Sequence, residues 1–277
     1  MIIYVGIPYH NSNTWKDSIK IIGNDNTAIS SKTYILGNRN VCFRRGYALG
    51  EDLFIDSSNA LYIGRGNSYS LNNTKKNVLV AGGGTSSLRI NAFRVEKEGS
   101  IFAQKEYNST GADYAEYFEW ADGNNNNEDR VGYFVTLDGE KIKIANKGDW
   151  ILGVVSAQPS VIGDSYDNWH NKYLSDEFGR IIYEEVTIPA DRDTEEHVEM
   201  QPCINPKFDE KKEYIPRENR KEWSAVGLMG KLYVRDNRKC EVNSFCKVGN
   251  GGIAVPSDTG YRILKRINVN TIQILLK

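Results

Sequence analysis

Tyr34-Ile-Leu-Gly37, Tyr47-Ala-Leu-Gly50 and Leu61-Tyr-Ile-Gly64 repeat one short phrase, an apolar strand closed by glycine, and Val78-Leu-Val-Ala-Gly82 follows at a wider interval. Gly37, Gly50 and Gly64 lie 13 and 14 residues apart. A strand this short cannot bury its own face, so such units must stack on one another or on other chains. Residues 1 to about 90 therefore read as a β-roll. The competing reading of the same residues is a β-sandwich with glycine-rich hairpins.

Outward from the repeat, the pattern stays that of strands. The 277 residues include 16 Tyr and 25 Gly, and no long helix-period stretch. Arg94-Val-Glu-Lys-Glu98, Gly99 and Ser100-Ile-Phe-Ala103 predict a hairpin turning at Glu98-Gly99. Asn108-Ser-Thr-Gly-Ala112 is small and polar, the composition of a linker, and the main boundary is placed there. Beyond it, Val131–Leu137, Lys141–Ala145, Trp150–Ser156, Arg180–Ile188 and several segments from Ala225 to Leu276 read as strands, with a turn at Asp138-Gly139. Residues 167–178 predict one short helix capped by Asp167. Residues 189–222, charged and holding Pro189, Pro202, Pro206 and Pro216, predict a long irregular excursion.

Composition narrows the function classes. Apolar residues make up 40% of the chain, enough for a core, and the net charge of -1 gives no field that would draw nucleic acid or an anionic membrane. No apolar run approaches the roughly 20 residues of a membrane span, and the opening MIIYVGIPYHNSNTW lacks the pattern of a signal peptide. Cys42, Cys203, Cys240 and Cys246 have no zinc spacing and read as reduced structural thiols, although the spacing leaves a Cys240–Cys246 disulfide open. Asp122-Gly-Asn-Asn-Asn-Asn-Glu-Asp129 is rich in oxygen ligands but lacks a calcium loop's spacing and distal Glu, so a polar hairpin loop is the better reading. Ala81-Gly-Gly-Gly-Thr-Ser-Ser87 lacks the Lys of a P-loop. His10, His170 and His197 have no nucleophile or metal partner at readable spacing and read as structural or surface residues.

The segment that stands out is Gly111-Ala-Asp-Tyr-Ala-Glu-Tyr-Phe-Glu-Trp120, in which Asp113, Glu116 and Glu119 recur every third residue among aromatics, directly after the linker. Two carboxyl groups suffice for metal-free hydrolysis when one is held neutral as acid and the other activates water. Desolvation by aromatic neighbours is one way to keep the acid protonated. On spacing alone, a solvated acidic face is the plainer reading. A glycosidase using Glu116 and a second carboxylate is a distant alternative.

The stretch GADYAEYFEWADGNNNNEDRVGYFVTLDGEKI resembles the opening of the autoproteolytic intramolecular chaperone domain of phage neck-appendage and tail-spike proteins. ILGVVSAQPSVIGD, YIPRENRKEWSAVGLMGKLYVRD and GYRILKRINVNTIQILLK extend the resemblance over about residues 108–277. It implies a mainly β chain: an elongated trimeric β-roll shaft over residues 1–107, a linker at 108–112, and a compact β-rich chaperone domain with few short helices at 113–277. It implies a glutamic-type, single-turnover self-cleavage before the Asp of an Asp-x-x-Glu motif. Here the motif is Asp113-Tyr-Ala-Glu116, which maps the cut to Ala112–Asp113 with Asp113 and Glu116 as catalytic residues. Ala112 stands where a Ser was expected. An N-to-O acyl shift would instead cut before Ser109 or Thr110. The resemblance further implies a homotrimer joined to the rest of a phage fibre or spike, with no nucleic acid, membrane insertion or metal. Assembly would take place in the host bacterial cytoplasm, the shaft remaining in the virion tail while the chaperone part leaves. Cleavage would need no cofactor, whereas ATP would promote release, with Arg217, Arg220 and Lys221 as candidate phosphate contacts. A trimeric structural or receptor-binding tip that never cuts itself is the alternative.

Overall fold

The computed structural model describes residues 19–30, 32–69, 77–165, 171–190 and 196–277. The chain divides into two compact units, Met1–Asn108 and Ser109–Lys277. The opening fifteen residues, His10, Asp167 and His170 lie outside the described residues.

In the first unit, strands β1 (Lys20–Ile22), β3 (Thr33–Asn38), β5 (Gly46–Glu51), β7 (Ala60–Arg65) and β8 (Asn77–Gly83) form one parallel sheet. The short strands β2 (Thr27–Ala28), β4 (Val41–Cys42) and β6 (Phe54–Ile55) form a second parallel sheet. Among the described residues the first three coils thus contribute one strand to each sheet, a β-solenoid built within one chain. The glycines of the repeat fall in register, Gly37 opposite Gly50, Gly50 opposite Gly64 and Gly64 opposite Gly82. Gly37 and Gly50 have positive φ, and a Cβ on either would lie 1.8 or 1.9 Å from the carbonyl oxygen of the next rung. Only glycine fits such a column.

Between the two sheets lie Ile35, Ala48, Tyr62 and Val80 from the long strands and Cys42 and Ile55 from the short ones, all buried. The corners are tied by buried asparagines. Asn40 Nδ2 donates to Asn26 Oδ1 and to the Gly50 carbonyl, while Asn40 Oδ1 accepts the Leu53 N–H. Strands β9 (Asn91–Glu96) and β10 (Ile101–Ala103) turn antiparallel at one edge. The hairpin is the one expected, with Gly99 at φ 89°.

The second unit is organised around the 13-residue strand β18. In chain order its strands are β11 (Asp113–Glu119), β12 (Phe134–Asp138), β13 (Lys141–Ile144), β14 (Gly153–Val155), β15 (Val161–Gly163), β16 (Tyr183–Ile188), β17 (His197–Pro202), β18 (Trp223–Arg235), β19 (Phe245–Val248), β20 (Ala254–Ser257), β21 (Tyr261–Asn268) and β22 (Thr271–Leu276). Ten of them form one sheet. Trp223–Gly230 of β18 pair with β11, Gly230–Arg235 pair with β22, and Val226 and Gly227 also pair with β14. The largest core gathers Phe134, Val154, Leu232, Val234, Ile263, Ile272 and Ile274 on this sheet.

Two expectations fail here. The helix over 167–178 is absent from its described part: Tyr173 bridges to Ile204, Ser175 bridges to Ile181, and Asp176 Oδ1 accepts from the Phe178 and Arg180 N–H groups. A short acidic side chain has offered the backbone a turn in place of a helix. The 189–222 stretch is also more regular than its prolines suggest. His197–Pro202 alternates well enough to pair with Tyr183–Ile188 as a two-stranded sheet, and Pro202 sits at the strand end, where a missing N–H is tolerated.

Among the described residues the only helices are two three-residue 3₁₀ turns, Arg217–Asn219 and Asn250–Gly252. All four cysteines are free, and burial pushes the Cys246 thiol up to about 12 and the Cys240 thiol up to about 11. The Cys240–Cys246 disulfide left open by the sequence is not formed.

Candidate functional site

Asp113-Tyr-Ala-Glu-Tyr-Phe-Glu119 folds as a strand, and that choice scatters its carboxylates. Successive side chains of a strand point to opposite faces, so Asp113, Ala115 and Glu119 share one face while Tyr114 and Glu116 share the other. Glu119 on its face pairs with Lys141 at 2.7 Å. On the opposite face the Tyr114 hydroxyl donates to Glu116 Oε1 at 2.5 Å, beside Gly163 of β15. The Glu116 carboxylate holds the Tyr114 phenol above its ordinary pKa. Three residues of strand separate Asp113 from Glu116 by about 10 Å. The two therefore do not meet within one chain.

Asp113 is buried, 6% exposed, at the head of β11. Desolvation raises its pKa above the ordinary value of an aspartate, and a hydrogen bond from Ser156 works against that rise. Its Oδ2 has no hydrogen-bond partner, and it lies so close to Gly227 that a Cβ there would be 2.8 Å away. A buried carboxyl with one unsatisfied oxygen favours the protonated form, as a general acid requires.

The Ala112–Asp113 peptide and the one after it are each held through their carbonyl. The Ala112 carbonyl accepts the Lys231 N–H at 3.1 Å, and the Asp113 carbonyl accepts the Ser160 N–H at 2.8 Å. Upstream, Gln158 Nε2 donates to Thr110 Oγ1 at 2.8 Å, and a Cβ on Gly111 would lie 2.4 Å from the Ser160 nitrogen. The end of the linker, Thr110–Ala112, is thus held against residues 158–160 and β18 of its own unit. Gly227, Gly230, Ser156 and Ser160 are the participants that sequence reasoning missed. The glycines of Ala225-Val-Gly-Leu-Met-Gly230 carried the signal, because glycine inside a strand marks close approach of another backbone.

The candidate phosphate contacts are already engaged. Arg217 is buried, donates to the Asp164 carbonyl, pairs with the Asp164 carboxylate and stacks 3.9 Å from the Trp223 ring centre. Arg220 pairs with Glu222 at 2.8 Å, and Lys221 donates to the Asn125 carbonyl. In the Asp122–Asp129 loop, Arg130 holds Asp122 with two hydrogen bonds and lowers its carboxyl to about 2. His197 lies exposed on β17 beside Glu199.

A buried carboxyl at the head of β11, beside an upstream carbonyl held by the Lys231 amide of β18, suits chemistry on the chain's own backbone. The comparisons name it: the chain belongs to the family described as Peptidase_G2, IMC autoproteolytic cleavage domain, whose profile matches residues 66–272. That match reaches back from the linker to take in β8, β9 and β10. The pre-neck appendage protein of Bacillus phage B103 is 41% identical over 158 residues, covering 55% of this chain and 17% of that protein. The putative phage-related protein YobO of Bacillus subtilis (strain 168) is 37% identical over 155 residues, covering 55% of this chain and 18% of that protein. The chain therefore spans less than a fifth of these relatives' length. The crystal structure of the pre-mature bacteriophage phi29 gene product 12 shares the fold, with a TM-score of 0.62, 23% identity, and coverage of 94% of this chain and 40% of that one.

Proposed function

We propose that this chain is part of a phage or prophage neck-appendage or tail-spike protein in which residues 113–277 form a domain that assists trimer folding and then cuts itself off between Ala112 and Asp113. The observation that carries the reading is the grip on that peptide, with the buried Asp113 carboxyl beside it. The reaction is hydrolysis: a water oxygen bonds to the Ala112 carbonyl carbon, the carbon–nitrogen bond breaks, and the Asp113 nitrogen leaves with a proton from the Asp113 carboxyl. Each chain turns over once, because its substrate is its own linker. A nucleophilic side chain before the cut is not required when water attacks, so Ala112 is compatible with the reaction. Holding the bond and the acid in one folded unit supplies the proximity that an intermolecular protease must obtain by binding.

Glu116 is the proposed base, and its position on the far face of β11 argues that it serves a second chain. A homotrimer would bring one copy's Glu116 to another copy's linker, which makes cleavage conditional on assembly. The first unit supports association. The register sets Ile22, Leu36 and Leu49 in an outward ladder, 56%, 51% and 44% exposed, an apolar stripe that calls for a cover.

If ATP assists release, its phosphates would compete with carboxylates at Arg217 and Arg220. An open depression of about 1080 Å³ beside Tyr261 and Phe245, with Lys147, Lys247, Arg262 and Lys277 on its walls, offers them cations more freely. Assembly in the bacterial host and retention of the first unit in the virion follow from the same reading.

Cleavage in ¹⁸O-labelled water tests the chemistry. The reading expects a fragment beginning Asp113-Tyr-Ala-Glu and one ¹⁸O atom in the new Ala112 carboxylate. A cut elsewhere, or a fragment without the label, would overturn it.

A further inference from the structure

We infer that the backbone N–H of Lys231, presented by the positive-φ residue Gly230, is the group that takes up negative charge on the Ala112 carbonyl oxygen during self-cleavage. This rests on the reading of Ala112–Asp113 as the bond that breaks.

Gly230 faces Asp113 in the β11–β18 pairing, and the next amide, Lys231, donates to the Ala112 carbonyl oxygen at 3.1 Å. Gly230 has φ 122°, and a Cβ there would lie 2.4 Å from the Ala112 oxygen and 2.7 Å from Asp113 Cα. Both features require glycine: the backbone angle suits no other residue, and the approach leaves no room for a side chain. β18 is paired on into β22 beyond this point, through Gly230–Leu276 and Lys231–Leu275, so the donor is held in place by the ladder.

The arrangement matches what a developing oxyanion needs. Attack on the Ala112 carbonyl carbon drives the C=O electron pair onto oxygen, where a fixed N–H already points. Collapse returns the pair and expels the Asp113 nitrogen, which takes a proton from the Asp113 carboxyl. A donor fixed before reaction needs no reorganisation, and removal of one such donor in other hydrolases slows the chemistry about 100- to 1000-fold. The Lys231 side chain is exposed and takes no part.

The test replaces the 231 amide by an ester in the full chain, incorporating the α-hydroxy analogue of lysine, with Gly230→Ala made alongside. The fraction cleaved against time is read by intact mass, and the unfolding temperature is recorded for each. The inference expects the ester to slow cleavage by about 100-fold or more with the cut still after Ala112. It expects Gly230→Ala to be slowed as well. In chains stalled by Asp113→Asn, the stretching band of a ¹³C-labelled Ala112 carbonyl should move to higher frequency with the ester, a shift that loss of stability alone does not cause. An ester chain that cleaves at the wild-type rate between Ala112 and Asp113 overturns the inference and leaves the scissile bond standing. Wild-type protein that yields no such fragments overturns both.

Discussion

Asp113 joins two properties that pull against each other, a place in the core and an ionisable group with a bare oxygen. Its raised pKa means that the folded protein holds this proton more tightly than the unfolded chain does. The sign follows: as pH rises from the ordinary carboxylate range through the folded pKa, the carboxyl must ionise in the core and stability is lost. Asp113→Asn removes the ionisation, so in chains kept whole by Glu116→Ala it should raise the unfolding temperature at pH 7, with the gap closing at acid pH. Differential scanning calorimetry across pH checks this, and a gap that grows towards acid pH would contradict it. The same proton is the one proposed for the leaving nitrogen. Cleavage should therefore slow as pH rises through the Asp113 pKa, and Asp113→Asn should slow it by roughly 100- to 10,000-fold, read as fragment mass against time. The sequence drew attention to Asp113 and Glu116 because they sit among aromatics after a linker. It could not place them on opposite faces, because spacing of three suits a helical turn and a strand reads by two.

At the scale of the element, the first unit shows why its repeat was legible. Gly37, Gly50 and Gly64 are spaced by the length of one coil, and each fills a place where the next rung's carbonyl comes too close for a Cβ. Local spacing and three-dimensional register are then the same information. Gly50→Ala should cost roughly 3 kcal/mol through backbone strain and a forced contact. Asn40→Leu, which strips the Leu53 N–H and Gly50 carbonyl of their partner, should cost a similar roughly 3 kcal/mol. Both are measured by chemical denaturation of the full chain, and a change within experimental error would refute the ladder account. The second unit was less legible for the opposite reason. Its site depends on β11 meeting β18 more than a hundred residues later, and no local pattern encodes that meeting. Gly227 and Gly230 were visible as strand residues, while the backbone they leave room for was not. The missing helix near Asp176 has a local cause, a side chain that bonds its own backbone.

For the whole molecule, the mainly β class was readable from composition and strand patterning, and the autoproteolytic family from ordered motifs between Gly111 and Lys277. The family match extends further back, to residue 66, than the motifs did. The proposed trimer adds what one chain lacks, a Glu116 from another copy and a cover for the Ile22, Leu36 and Leu49 ladder. Leu49→Lys should then shift the sedimentation of the full chain from trimer towards monomer and slow cleavage in proportion. A monomeric chain that still cuts itself at the wild-type rate would remove assembly from the mechanism. The central claim is tested most directly by the intact mass of freshly made full chain beside Asp113→Ala and Glu116→Ala. The account predicts that wild type resolves into residues 1–112 and 113–277 while both variants stay whole; a wild-type chain that persists at its full mass as a stable trimer would contradict it.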